Sequence, residues 1–189
     1  GIVLHDQHAA PRGRDGIEIV PPLAPRHCWP LPVPAMPVAP PTNPSLREKI
    51  GQLLNVGFRG CRTEECALVA HDICEYHIGG VILFDQDMAD PARSRRNIES
   101  PDQVKSLLAF LQSQARVPLL ASIDQEGGRV NRLKPDYGFP ASVSHEELGR
   151  LNDPPETYRH AAATADTLAA VGLNLNLAPV VDLDANPDN

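Results

Sequence analysis

The sequence predicts an α/β fold assembled from parallel strand–helix–strand units. Short apolar runs of strand length, at residues 53–58, 81–84, 118–123 and 173–177, alternate with stretches patterned at helical spacing. The run at 118–123 is buried-strand-like and turns abruptly polar at Asp124. Neither a G-x-G-x-x-G fingerprint nor a P-loop follows any of these runs, which weighs against a nucleotide-binding sheet. At this level a doubly wound sheet and part of a (β/α)8 barrel both fit.

Residues 1–44 stand apart. Prolines recur every few residues from Pro11 to Pro44, removing backbone donors and fixing φ. The expectation is an extended, polyproline-like or disordered arm, with Trp29, Leu31, Val33 and Met36 as its apolar residues. Residues 45–189 carry the globular pattern. Ser45 and Glu48 form an S-x-x-E capping box that opens a short helix before the first strand. Thr63, Glu64 and Glu65 open the next helix, whose buried face is Cys66, Val69, Ala70, Ile73, Cys74 and His77. Gly79-Gly80 is expected to end it, and 81–84 is the second strand.

A polar loop over 85–99 leads to Ser100-Pro101-Asp102-Gln103, an N-cap with proline at the first helical position. Val104, Leu107, Leu108 and Leu111 are the buried stripe of that helix. The run to Ile123 is the third strand. A turn-rich segment follows Arg132, with a helix start at S-H-E-E around His145. Asp153 caps the last helix, whose core face is read as Tyr158, Ala161, Ala162, Ala165, Leu168 and Ala169, with Gly172 as its stop. Leu173, Leu175 and Leu177 alternate with Asn174 and Asn176, the period of a fourth strand.

Composition narrows the function. A net charge of −7 and scattered basic residues, of which Arg93, Arg95 and Arg96 are the tightest cluster, exclude a nucleic-acid surface. No apolar run reaches the ~20 residues of a membrane span, and none resembles a secretory leader. The cysteines, Cys28, Cys61, Cys66 and Cys74, lack zinc-site spacing and read as free thiols of a reducing, cytoplasmic compartment.

The chemistry concentrates in S-I-D-Q-E-G-G-R-V-N-R at residues 122–132. A buried strand ends in a carboxylate, a Gly-Gly turn and two guanidiniums, a construction that suits one wall of a polar-ligand site. D-Q-E-G-G-R-V-N-R at 124–132 resembles the signature of family 3 glycoside hydrolases of the β-N-acetylhexosaminidase type. I-G-G-V-I-L-F at 78–84, N-I-E-S-P-D-Q-V at 97–104 and G-L-N-L-N-L-A-P-V-V-D at 172–182 resemble the family's flanking blocks, in the same order.

The resemblance selects the barrel. It implies about the first four β/α units of a (β/α)8 TIM-type catalytic domain, against about 250 residues for a whole one. It implies a retaining hydrolase of terminal β-linked N-acetylglucosamine, on glycans that include cell-wall fragments, with no metal or organic cofactor. Asp124 is then the carboxylate that grips sugar hydroxyls, and Arg132 donates to the same sugar. Glu126 and Arg129 are expected to pair and brace the turn, and Asp182 and Asp184 to cap the loop after the fourth strand. The family's nucleophile and its acid/base histidine, near a Lys-His-Phe-Pro-Gly-His-Gly stretch, match nothing here. His145 and His160 are not substitutes, so no catalytic residue is assigned within residues 1–189. A β-glucosidase of the same broad family and a non-catalytic sugar-binding or assembly subunit are the competing readings. An open half-barrel is also expected to self-associate, because its inner face, drawn from all four apolar runs, is read as a large apolar patch.

Overall fold

This computed structural model of the protein describes residues 2–4, 43–89 and 95–181. The Ser45 hydroxyl accepts from the Glu48 amide at 3.2 Å, and the Glu48 carboxylate accepts from the Ser45 amide at 2.8 Å. That reciprocal cap starts α1 (Leu46–Gly51) and pulls the Glu48 carboxyl below its usual range. Next come β2 (Leu54–Gly57), α2 (Ala67–Tyr76), β3 (Gly80–Leu83), α3 (Pro101–Gln114) and β4 (Leu120–Ile123). α4 (His145–Leu151), α5 (Pro154–Ala170) and β5 (Leu175–Asn176) complete the chain order, and β1 (Ile2–Leu4) precedes them all.

The five strands pair in the order β1-β2-β3-β4-β5, every pair parallel. A doubly wound sheet reverses direction at a switch point. Here the order never reverses, and a single core joins Val81, Leu83, Ala121 and Ile123 to residues of α2, α3 and α5. Helices therefore cover one face of a sheet that winds in sequence, as in a barrel. The sequence reading counted four strands. β1 is the addition, an edge strand with Ile2 opposite Leu54 and Leu4 opposite Val56. Three apolar residues ahead of the first proline are too few for periodicity to single out. The remainder of the expected arm, with Trp29 and its neighbours, lies outside the described residues, as do Cys28, Arg93, Asp182 and Asp184.

Most helix expectations hold. Val104, Leu107, Leu108 and Leu111 are all buried in α3, and Ser100 caps it. Cys66, Val69, Ala70 and Ile73 are buried on α2 and before it, and burial pushes the Cys66 thiol up to about 12. Two details differ. α2 stops at His77, in the left-handed region at φ 57°, ahead of the glycines. Gly79 serves a close approach: a Cβ there would sit 2.3 Å from the Gln52 carbonyl oxygen. On α5 only Leu168 of the expected core face is buried; Tyr158 is 75% exposed, and Ala161, Ala165 and Ala169 are exposed too.

The helix-free face follows from the strand pairing. Asn55, Gly57, Gly80, Ile82, Phe84 and Ser122 lie on it by strand alternation, and potential Cβ contacts from Gly57 to Phe84 and Ile82 agree. Asn55 Nδ2 donates to Ser122 Oγ at 2.8 Å, and Ser122 Oγ donates to the Val81 carbonyl at 3.0 Å. Leu120, Leu175 and Leu177 share this face by the same alternation, and Leu120 and Leu177 are exposed, so apolar side chains flank a hydrogen-bonded centre of Asn55 and Ser122.

Candidate functional site

β4 delivers Asp124 at its C-terminal end, one residue past Ile123. The chain then turns on two glycines with positive φ, Gly127 at 79° and Gly128 at 61°. The Glu126 amide donates to the Val130 carbonyl at 3.0 Å and closes the turn. A Cβ on Gly127 would meet the Val143 carbonyl oxygen at 2.2 Å, so conformation and space both demand glycine. Glu126 and Arg129 carry no ion pair with each other among the described residues, contrary to expectation.

The brace is Gln125, which is 5% exposed. Its Oε1 accepts from the Arg132 amide at 3.0 Å and the Leu133 amide at 2.9 Å. Its Nε2 donates to Asn131 Oδ1 at 2.7 Å and Ser142 Oγ at 3.2 Å. Its own backbone is pinned to β5: the amide donates to Asn176 Oδ1 at 3.0 Å, and Asn176 Nδ2 donates to the Gln125 carbonyl at 3.1 Å. A glutamine suits this place because the loop presents both donors and acceptors, and a carboxylate offers only acceptors.

This bracing returns Arg132 to Asp124. Arg132 Nη2 lies 3.7 Å from Asp124 Oδ2, too long for a hydrogen bond, and both side chains are about one-quarter exposed. The guanidinium makes its short contact elsewhere: Nη1 donates to Asp85 Oδ1 at 3.0 Å. Asp85, 2% exposed, also accepts from Lys134 Nζ through Oδ2 at 2.5 Å. That hydrogen bond, followed by the charge of Asp85, holds the Lys134 ammonium above its ordinary pKa against the opposing effect of burial. The Phe84 ring carries Arg96 at 4.9 Å and Arg132 at 5.7 Å from its centroid. Arg132 Nε is buried without an acceptor among the described residues.

The mouth of the neighbouring strands is equally tied down. Arg59 holds Asp87 with Nε at 2.5 Å and Nη2 at 3.2 Å, and this pairing keeps the Asp87 carboxyl below its usual range despite burial. Asn97, fully buried, accepts from the Phe84 amide at 3.0 Å and donates to the carbonyls of Phe58 and Gly60. The ends of β2 and β3 are fixed to one another by one side chain.

The profile of the glycosyl hydrolase family 3 N-terminal domain matches residues 45–189. The chain belongs to glycosyl hydrolase family 3. A family 3 β-N-acetylglucosaminidase from Paenibacillus sp. str. FPU-7 superposes with a TM-score of 0.67 at 38% identity, covering 78% of this chain and 26% of that one. A β-N-acetylhexosaminidase from Beutenbergia cavernae gives 0.63 at 31% identity over 77% of this chain and 41% of its own. Beta-hexosaminidase A of Pseudoalteromonas piscicida is 34% identical over 163 residues, which is 26% of its length. The beta-hexosaminidase of Pseudomonas aeruginosa is 34% identical over 133 residues, 35% of its length. The chain thus spans about a quarter to a third of these curated relatives.

Among the residues that sequence reading passed over, Asp85, Gln125 and Lys134 hold the surroundings of Asp124 and Arg132. Register shows how the first two were findable. Leu83 pairs with Ile123, so Asp85 and Gln125 occupy equivalent places two steps beyond, on the same side of adjacent strands. Two clefts among the described residues lie elsewhere. One of about 330 Å³ runs behind the signature loop between α4 and α5 and includes His145 and His160; one of about 290 Å³ lies at the opposite end of the sheet. Asp124 and Arg132 line neither. His160 instead faces Glu156 on its own helix at 3.1 Å. No helix among the described residues is long and apolar enough to cross a membrane.

Proposed function

We propose that this chain supplies the sugar-gripping part of a β-N-acetylhexosaminidase barrel. The reaction is removal of terminal non-reducing β-linked N-acetylglucosamine from cell-wall or chitin-type glycans, with retention of configuration and without metal or organic cofactor. The observation that carries this is a one-quarter-exposed carboxylate and guanidinium, Asp124 and Arg132, side by side at a strand's C-terminal end in a family 3 chain. Asp124 accepts from two vicinal hydroxyls, and Arg132 donates to an oxygen of the same ring. Similarity to proteins named beta-hexosaminidases supports the N-acetylglucosamine reading over a β-glucosidase.

Retention needs a nucleophile and an acid/base about 5 Å apart. No residue of 1–189 is assigned to either role, so the chain by itself should bind sugar and not hydrolyse it. The work of these residues is to hold the non-reducing sugar while groups on later strands act at its anomeric carbon. We place the activity in the cytoplasm, in keeping with the buried Cys66 thiol, which forms no disulfide.

Substitution tests the reading. In a chain carrying the complete barrel, Asp124→Ala should lower kcat/KM on an aryl N-acetylglucosaminide by about 2–4 kcal/mol, roughly 30- to 900-fold. A change within about threefold removes Asp124 from the site. Preference for an aryl glucoside over the N-acetylglucosaminide establishes the β-glucosidase instead. Sugar binding without turnover by the complete barrel establishes the non-catalytic subunit.

A further inference from the structure

We infer that Asp85 is the positioning residue of this site: it holds Arg132 away from Asp124 and so leaves both groups open to the sugar. The inference rests on the sugar-gripping roles just proposed for that pair.

The geometry is a contest between two carboxylates for one guanidinium. Arg132 lies 3.0 Å from Asp85 and 3.7 Å from Asp124. Asp85 is 2% exposed, and a buried carboxylate without partners is far more costly than one that water reaches. It takes both of its partners from one loop, Arg132 on Oδ1 and Lys134 on Oδ2. Asp124 keeps 26% of its side chain exposed and forms no comparably short ion pair among the described residues. Two cations and two carboxylates make the cluster neutral, yet the exposed carboxylate is the one left with capacity to accept.

Gln125 completes the device. It lies two residues past β4, as Asp85 lies two residues past β3, and fixes the backbone of Arg132 and Leu133, while Asp85 fixes the side chains of Arg132 and Lys134. The guanidinium is thus located from both ends. If the charge on Asp85 is removed, the nearest carboxylate to Arg132 is Asp124. Closing that gap makes a direct ion pair, which the sugar must then break before either group can grip it.

Two variants of the chain decide it. In sugar-free crystals of Asp85→Asn, Arg132 Nη2 should close on Asp124 to hydrogen-bond distance, about 2.8 Å. N-acetylglucosamine binding, followed by NMR titration, should weaken about tenfold or more because a charge-assisted pair now competes. In Asp124→Asn, at a solvent-reached position that does not threaten the fold, Arg132 should remain on Asp85. Arg132 staying off Asp124 in the first variant overturns the inference. Arg132 leaving Asp85 in the second overturns it also, and that arm decides alone if Asp85→Asn does not fold. A wild-type chain that ignores N-acetylglucosamine while Arg132 moves as expected refutes the sugar reading and supports the positioning role.

Discussion

Gln125→Leu is the sharpest test of how the signature turn is held. The substitution keeps the size and removes four hydrogen bonds. At about 1 kcal/mol net apiece these amount to roughly 4 kcal/mol. The Leu133 amide belongs to a residue 1% exposed and has no ready replacement, which adds about 1–3 kcal/mol for an unsatisfied donor. The leucine recovers about 1–2 kcal/mol through apolar burial. The expected loss is therefore about 3–6 kcal/mol, read as a lower urea midpoint at unchanged slope. Gln125→Glu should cost less, about 1–2 kcal/mol, since it keeps both amide acceptors and Ser142 can reverse its hydroxyl to donate. A loss under about 1 kcal/mol for the leucine variant would refute the reasoning, as would a glutamate variant as damaged as the leucine one.

Two further outcomes follow. The folded Asp87 carboxyl has a depressed pKa, first through its hydrogen bond from Arg59, so its stabilising contribution is complete above the ordinary aspartate value and is lost as pH falls through the folded one. Urea midpoints between about pH 7 and about pH 3 should fall more steeply for wild type than for Asp87→Asn, and parallel curves would remove this pair from the acid response. The 1–189 chain should self-associate in light scattering through its β5 side, where Leu177, Val180 and Val181 are exposed beside a two-residue edge strand; a monomer at every attainable concentration would contradict this.

Local rules made most of the fold legible. Ser45, Ser100 and Asp153 each accept the amide three residues on, as their place before an acidic or glutamine residue predicted. The stripe on α3 was readable because that helix lies wholly over the sheet. The two outer residues of the proposed site, Asp124 and Arg132, stood out because charge after a buried run is conspicuous. Asp85 did not, because the loop it opens is polar throughout, and its partners Arg132 and Lys134 lie 47 and 49 residues away. Only the pairing of β3 with β4 turns that separation into contact. β1 was illegible for the reason that it is useful as an edge: three residues bond to a neighbour without any pattern of their own.

α5 shows the limit of periodicity most plainly. Its apolar and small residues repeat at helical spacing, and that repeat marks a face without saying what covers it. Leu168 meets the core of the first strands, while Tyr158, Ala161, Ala165 and Ala169 remain at the surface. The inner sheet face shows a mixed outcome. There the strand runs look uniformly apolar, and alternation sends Val81, Leu83, Ala121 and Ile123 to the helices while Asn55, Gly80 and Ser122 lie opposite beside Ile82, Leu120 and Leu175. In a barrel that opposite face leads up to the mouth, where Phe84 and Asp124 succeed Ile82 and Ser122 on their strands. The same pleat that sends Val81, Leu83 and Ile123 beneath the helices therefore carries a ring and a carboxylate to the strand ends, where the proposed sugar site lies.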